Sequence, residues 1–131
     1  MAILYNKREV KSMPWDLDND RPIYLQLMER IQQDIVSGVY KAGDKLPSVR
    51  ELAIDAAVNP NTMQKALSEL ERDGLVHSRR TSGRFITEDE TMLKNLRDEL
   101  ASRHIQDFME KMKQLGFQEK ETLEKLQDTI R

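Results

Sequence analysis

Apolar residues along most of this chain recur at three- and four-residue steps, the spacing of one face of a helix. Tyr24, Leu27, Met28, Ile31, Ile35 and Val36 form one such stripe. It predicts a helix that begins near Asp20, carries Pro22 in its first turn, runs to about Ser37 and is closed by Gly38. A second, short helix is predicted from Ser48 to about Ala57. Pro47 stops any helix before it, and Ser48 with Glu51 three residues on makes a capping box. A third opens at Asn59, a residue whose side chain can satisfy an orphan N–H, with Pro60 as first helical residue, where its missing N–H costs nothing. Met63, Ala66, Leu67 and Leu70 are its inward stripe, and Asp73-Gly74 ends it. The pattern then changes to two short runs, Leu75 to Arg80 and Arg84 to Thr87, around Thr81-Ser82-Gly83. That reads as a β-hairpin, with Lys45-Leu46 expected to pair beside it as a one- or two-residue strand.

Past Thr87 the helical period returns. Glu88-Asp89-Glu90 is an acidic first turn, which the helix dipole favours. Met92, Leu93, Leu96, Leu100, Ile105, Phe108, Met109, Met112 and Leu115 then predict one long helix, up to Gly116. Another follows Phe117 and carries Leu123, Leu126 and Ile130. Two helices are too few to build a core of their own. The expectation is a C-terminal helical hairpin for dimerisation, with Leu93, Leu96, Leu100, Phe108, Met112, Leu115, Leu123, Leu126 and Ile130 in the seam. The other arrangement is a tail folded back on its own N-terminal domain.

The fold class is therefore mainly α with a small β-hairpin. Residues 1–20 read as an N-terminal extension, 21–88 as a winged helix-turn-helix, and 89–131 as the helical dimerisation tail. The first dozen residues suggest one or two helical turns around Lys7 to Lys11, and Trp15 and Leu17 should tuck against the body. Two short helices with almost nothing between them form a helix-turn-helix, and a hairpin placed behind it forms a wing.

Net charge, at −2, is unusual for a nucleic-acid binder until it is divided. Through Thr87 there are 13 Lys+Arg against 12 Asp+Glu, and after it 8 against 11. Distribution matters more than the sum. Lys45, Arg50, Lys65, Arg79, Arg80 and Arg84 all fall on the helix-turn-helix and wing, as a basic stripe would require. Around the start of the third helix, Asn61, Thr62, Gln64 and Lys65 face outward. Such donors and acceptors suit base edges and phosphates, although any amphipathic helix has a polar face.

These segments together resemble the DNA-binding domain of the GntR family of bacterial transcription regulators. The residues that carry the likeness are Pro22-Ile23-Tyr24, Gly38, Gly43-Asp44-Lys45-Leu46-Pro47-Ser48, Arg50-Glu51-Leu52-Ala53, Val58-Asn59-Pro60-Asn61-Thr62, Ala66-Leu67, Leu70-Glu71, Asp73-Gly74-Leu75 and Gly83-Arg84-Phe85-Ile86. Asn59-Pro60-Asn61-Thr62, the Pro22-Ile23-Tyr24 entry and the short tail look most like the YtrA-type subfamily. The wing departs from the family pattern, with Thr81 in place of a glycine and Arg84 in place of a small polar residue. The resemblance implies DNA contacts from Ser48, Arg50, Asn59, Asn61, Thr62, Gln64, Lys65, Arg79, Arg80, Gly83 and Arg84.

Other chemistry is set aside on composition. With no cysteine there is neither a disulfide nor a thiolate metal site, in keeping with the cytoplasm. No apolar run approaches a membrane span, and Met1 to Tyr5 is too short for a signal peptide. His77 and His104 stand singly on their elements, and His104 with Asp107 is a weak metal pair. No assembled nucleophile, base and orienter is visible, so no enzyme, cofactor or metal is expected. The expected function is a sequence-specific, homodimeric transcriptional regulator acting as repressor of a transport or stress operon, on a palindromic operator in double-stranded DNA. A small-molecule inducer is left open. The alternative is a winged-helix module that binds protein or RNA through its polar helix, which would more often expose an apolar patch there.

Overall fold

The computed structural model describes residues 14–80 and 82–131. The expected turns around Lys7 to Lys11 lie outside them. Five helices and one hairpin are formed in the described chain: α1 (Ile23–Val36), α2 (Val49–Ala56), α3 (Pro60–Arg72), β1 (Val76–Arg79), β2 (Gly83–Ile86), α4 (Glu90–Gln114) and α5 (Glu119–Ile130).

The ends of the helices follow from local chemistry. Ser48 Oγ accepts from the Glu51 N–H at 3.1 Å while the Glu51 carboxylate accepts from the Ser48 N–H at 3.2 Å, closing the capping box of α2. Hydrogen bonding from the Ser48 backbone N–H, and secondarily from its side chain, holds the Glu51 carboxyl below its ordinary pKa. Asn59 Oδ1 accepts from the Asn61 N–H at 2.7 Å and caps α3. Gly38 and Gly74 adopt positive φ past α1 and α3. There the Val39 and Leu75 N–H groups reach back to the Asp34 and Leu70 carbonyls, satisfying end carbonyls in the Schellman manner. α2 ends in the same way, but its left-handed residue is Ala57, at φ 57° and ψ 47°.

α1 starts at Ile23, three residues after the predicted Asp20, with Pro22 extended at its N-cap. The reason is Gln26, which is buried and spends its side chain on the preceding segment. Its amide donates to the Asp18 and Arg21 carbonyls, and its oxygen accepts from the Asp18 N–H at 2.9 Å. Residues 14–20 are thus laid along the body as a strap. Trp15 and Leu17 pack on the core as expected. Trp15 Nε1 donates to Asp55 at 2.9 Å, and the Arg30 guanidinium sits 4.7 Å from the ring centroid.

The core lies where α1, α2, α3 and the wing meet. Leu27, Ile31, Met63, Leu67, Leu70, Val76 and Ile86 are all but inaccessible. In the antiparallel hairpin Val76 pairs with Ile86, His77 with Phe85, Ser78 with Arg84 and Arg79 with Gly83. Lys45 forms an isolated bridge to Phe85, the short third strand read from the sequence. His77 stacks against Phe85, a surface packing role.

The chain divides into two compact units, one ending at Leu96 and the other spanning Arg97–Arg131. In the first, Leu93 and Leu96 from the start of α4 pack against the winged core. The first turns of α4 thus pack with the winged unit. In the second, Gly116 at φ 91° ends α4, and Gln118 with Glu121 makes the capping box of α5. Thr122 is buried, its hydroxyl donating to the Gln118 carbonyl at 3.1 Å.

Candidate nucleic-acid interface

Two surfaces of the winged unit gather the expected site residues. The first is the opening turns of α3. The Asn59 cap and Pro60 set the start of this helix. Asn61, Gln64 and Lys65 are then exposed and Thr62 is half-buried, all opposite the buried stripe of Met63, Ala66, Leu67 and Leu70. Asn59 Oδ1 is engaged in the cap, and its amide nitrogen is a donor available to a ligand. Gln64 Nε2 donates to Ser68 Oγ at 3.1 Å, which fixes the amide on the helix surface. Lys65 Nζ lies 4.0 Å from the centroid of the Tyr24 ring, so its ammonium is placed by a cation–π contact with α1. Ser68 and Tyr24 escaped the sequence reading. Tyr24 belongs to the apolar stripe of α1, and only the fold shows its ring lying under the Lys65 ammonium.

The second surface is a cleft of about 580 Å³ between the start of α2 and the wing. Lys45, Ser48, Arg50, Arg79, Arg80, Gly83 and Arg84 all line it, with Glu51 as the one carboxylate. Ser48 Oγ is committed to its cap. Arg50 and Arg80 are exposed. Arg79 stacks its guanidinium 4.3 Å from the Phe85 centroid. Gly83, at φ 100°, lets the chain turn under Lys45, whose Cε a side chain here would approach to 3.1 Å. Arg84 differs from the rest, since its Nε donates to Glu71 at 3.2 Å. Thr81 lies outside the described residues.

Together these surfaces present donors and cations with few anions, on the opening turns of α3 and on a hairpin that faces the start of α2. Such an arrangement can hold a polyanion by phosphate contacts and offer a helix to base edges. Among the described residues no group of three or more His, Asp or Glu could bind a metal. Nor is any described helix long and apolar enough to cross a membrane.

Comparison with known proteins agrees with the geometry. Residues 23–86 match the model of "Bacterial regulatory proteins, gntR family". The chain is 44% identical over 106 residues to the uncharacterized HTH-type transcriptional regulator YhcF of Bacillus subtilis, covering 81% of this chain and 88% of that protein. The chain belongs to the GntR family. This GntR chain is also 45% identical over 74 residues to the HTH-type transcriptional repressor YtrA of Bacillus subtilis, covering 56% of this chain and 57% of YtrA. Among solved structures, a GntR family transcriptional regulator from Listeria monocytogenes superposes with a TM-score of 0.78 at 37% identity, covering 86% of this chain and 98% of that one. The GntR chain is thus a DNA-binding transcriptional regulator of winged-helix fold, and members of this family are transcription factors, not enzymes.

Proposed function

We propose that this regulator is a homodimeric repressor that reads a palindromic operator with α3. Asn61, Thr62, Gln64 and Lys65 face base edges. Arg50 on α2 and Arg79 and Arg80 on the wing take the phosphates, with Ser48, Asn59 and Gly83 shaping the backbone that carries them. The observation that supports this reading is the cation-lined cleft between the start of α2 and the wing, on the same unit that exposes the polar opening turns of α3. Against a protein-docking role stands the placement of the exposed large hydrophobics. Among the described residues they are Leu25, Ile54, Ile105, Phe108, Leu115, Leu123, Leu126 and Ile130, none on α3 or the wing. The repressor role is favoured by the likeness to YtrA. Such a protein would work in the cytoplasm, beside the genes of the transport or stress operon it controls.

Dimerisation rests on the second unit. Ile105, Phe108 and Leu115 on or just past α4, and Leu123, Leu126 and Ile130 on α5, stay exposed in the single chain, Phe108 and Leu126 least. Leu100 and Met112 are half-buried. Leu93 and Leu96 already pack on the winged core, so the proposed seam begins after them. The apolar face left over suits an isologous interface with a second copy, which would hold two recognition helices about 34 Å apart for successive major grooves.

The test is a titration on operator DNA selected from random sequence. With Arg50 on a phosphate, Arg50→Ala should weaken binding to operator and to random duplex alike and lower the salt slope by about one. An unchanged affinity would remove Arg50 from the interface.

A further inference from the structure

Glu71 lies at the far end of α3 from the DNA-facing turns, one residue before the helix ends. A single oxygen of its carboxylate, Oε1, accepts from Ser78 Oγ at 2.8 Å and from Arg84 Nε at 3.2 Å. Ser78 and Arg84 are directly opposite each other in the hairpin. One carboxylate on the recognition helix therefore grips both strands of the wing at the same rung. That rung is also anchored on its other side, where the Arg84 carbonyl accepts from the Leu46 N–H at 2.9 Å. Beyond it the wing has only the Arg79–Gly83 rung and the turn, and these carry Arg79 and Arg80. The Arg84 side chain is only 20% exposed. Its charge is matched by Glu71.

We propose that Glu71 is a positioning residue that sets the wing against the recognition helix through Ser78 and Arg84, and that Arg84 is the strut of this clamp and not a phosphate contact. Arg84 is one of the two places where the wing departs from the family pattern, and the clamp gives that departure a purpose. A wing held at one angle puts Arg79 and Arg80 at a fixed distance from the turns of α3 that face the bases. The two sets of contacts then have to be made in one register. The proposal rests on the DNA-binding reading, but the clamp itself can be measured without DNA.

Two readouts test it on the full chain. In hydrogen exchange, Glu71→Ala and Arg84→Ala should each speed exchange of the Leu46 and hairpin amides about tenfold while α1 amides keep their protection. On DNA, affinities for selected operator and for random duplex are measured across a salt series. Arg80→Ala should lower the salt slope by about one, whereas Arg84→Ala should leave it unchanged. Arg84→Ala and Glu71→Ala should each cut the operator-over-random ratio about five- to tenfold, and the double variant should lose no more than either single one, as members of one clamp do. An Arg84→Ala slope lower by about one, with hairpin exchange unchanged, would make Arg84 a phosphate contact and overturn the proposal. Additive losses in the double variant would also overturn it. If the wild type prefers no operator at all, the DNA-binding reading fails, and the exchange data alone still decide whether the clamp exists.

Discussion

Phe108→Glu puts the dimer account at risk most directly. Phe108 is 40% exposed on α4 in the single chain, near Ile105 at 61% and Leu115 at 72%. Fully burying a phenylalanine is worth about 1.5–3 kcal/mol, so covering the exposed part contributes about 1 kcal/mol. An isologous seam contains the residue twice, which doubles that to about 2 kcal/mol. The substituted carboxylate must also be desolvated in an apolar seam, adding at least about 1 kcal/mol per copy. The expected loss is about 4 kcal/mol, or roughly a thousandfold rise in the dimer Kd. Glutamate is a good helix former, so α4 should survive the change. Light scattering over a concentration series reads the mass, and circular dichroism confirms the fold. The mutant should be a monomer with intact helices and weakened operator binding. A mutant with the mass and operator affinity of the wild type would show that the exposed face of α4 and α5 is not the seam.

Three further outcomes follow from the winged unit. Ala57 holds a left-handed conformation at the turn of the helix-turn-helix, which costs an L-residue about 1–2 kcal/mol. Ala57→Gly removes that strain but adds about 0.4–1 kcal/mol of unfolded-state entropy, so a net gain of about 0.5–1 kcal/mol is expected, and a lower Tm would contradict it. The Tyr40 phenol is pushed up to about 12, first by burial and then by the Asp34 charge. The neutral phenol thus stabilises the fold below pH 10, and this contribution is lost as pH rises from 10 through 12. Tyr40→Phe should flatten that alkaline decline in urea melts, and an unchanged decline would assign it elsewhere. Lys65 is placed by the Tyr24 ring, so Tyr24→Leu should weaken operator binding about two- to fivefold, the worth of an exposed cation–π contact. Equal affinities would mean Lys65 needs no such support.

What could be read from the residues alone were features fixed within a few positions. Ser48 with Glu51 and Asn59 with Pro60 announce their helix starts because a cap is a local hydrogen bond. The hairpin and the Lys45 bridge follow from short runs around a glycine. What escaped depends on groups distant in sequence. Glu71 and Arg84 are 13 positions apart, and nothing in either neighbourhood marks them as partners. Gln26 delays the start of α1 by bonding the backbone of a strap eight residues earlier. Leu93 and Leu96 share one stripe with Phe108, but a stripe states only that something covers it. The fold gives the first two to the winged core and leaves Phe108 partly exposed. Ala57 in a left-handed turn was hidden for another reason, since glycine is the residue that normally advertises that conformation.

The central claim is that α3 reads base sequence in two symmetric half-sites. Selection of binding sites from random DNA, run in parallel on the wild type and on Gln64→Ala, tests it most directly. Gln64 is exposed in the first turns of α3, with its amide steadied by Ser68. Glutamine can bridge adenine N6 and N7, a contact worth about 1–3 kcal/mol of discrimination. The wild type should yield an inverted repeat with half-site centres about 10 base pairs apart, or a multiple of that spacing. The Gln64→Ala consensus should be the same repeat with one position relaxed in each half. A wild type that selects no consensus, or a mutant consensus identical to the wild type's, would contradict recognition by α3.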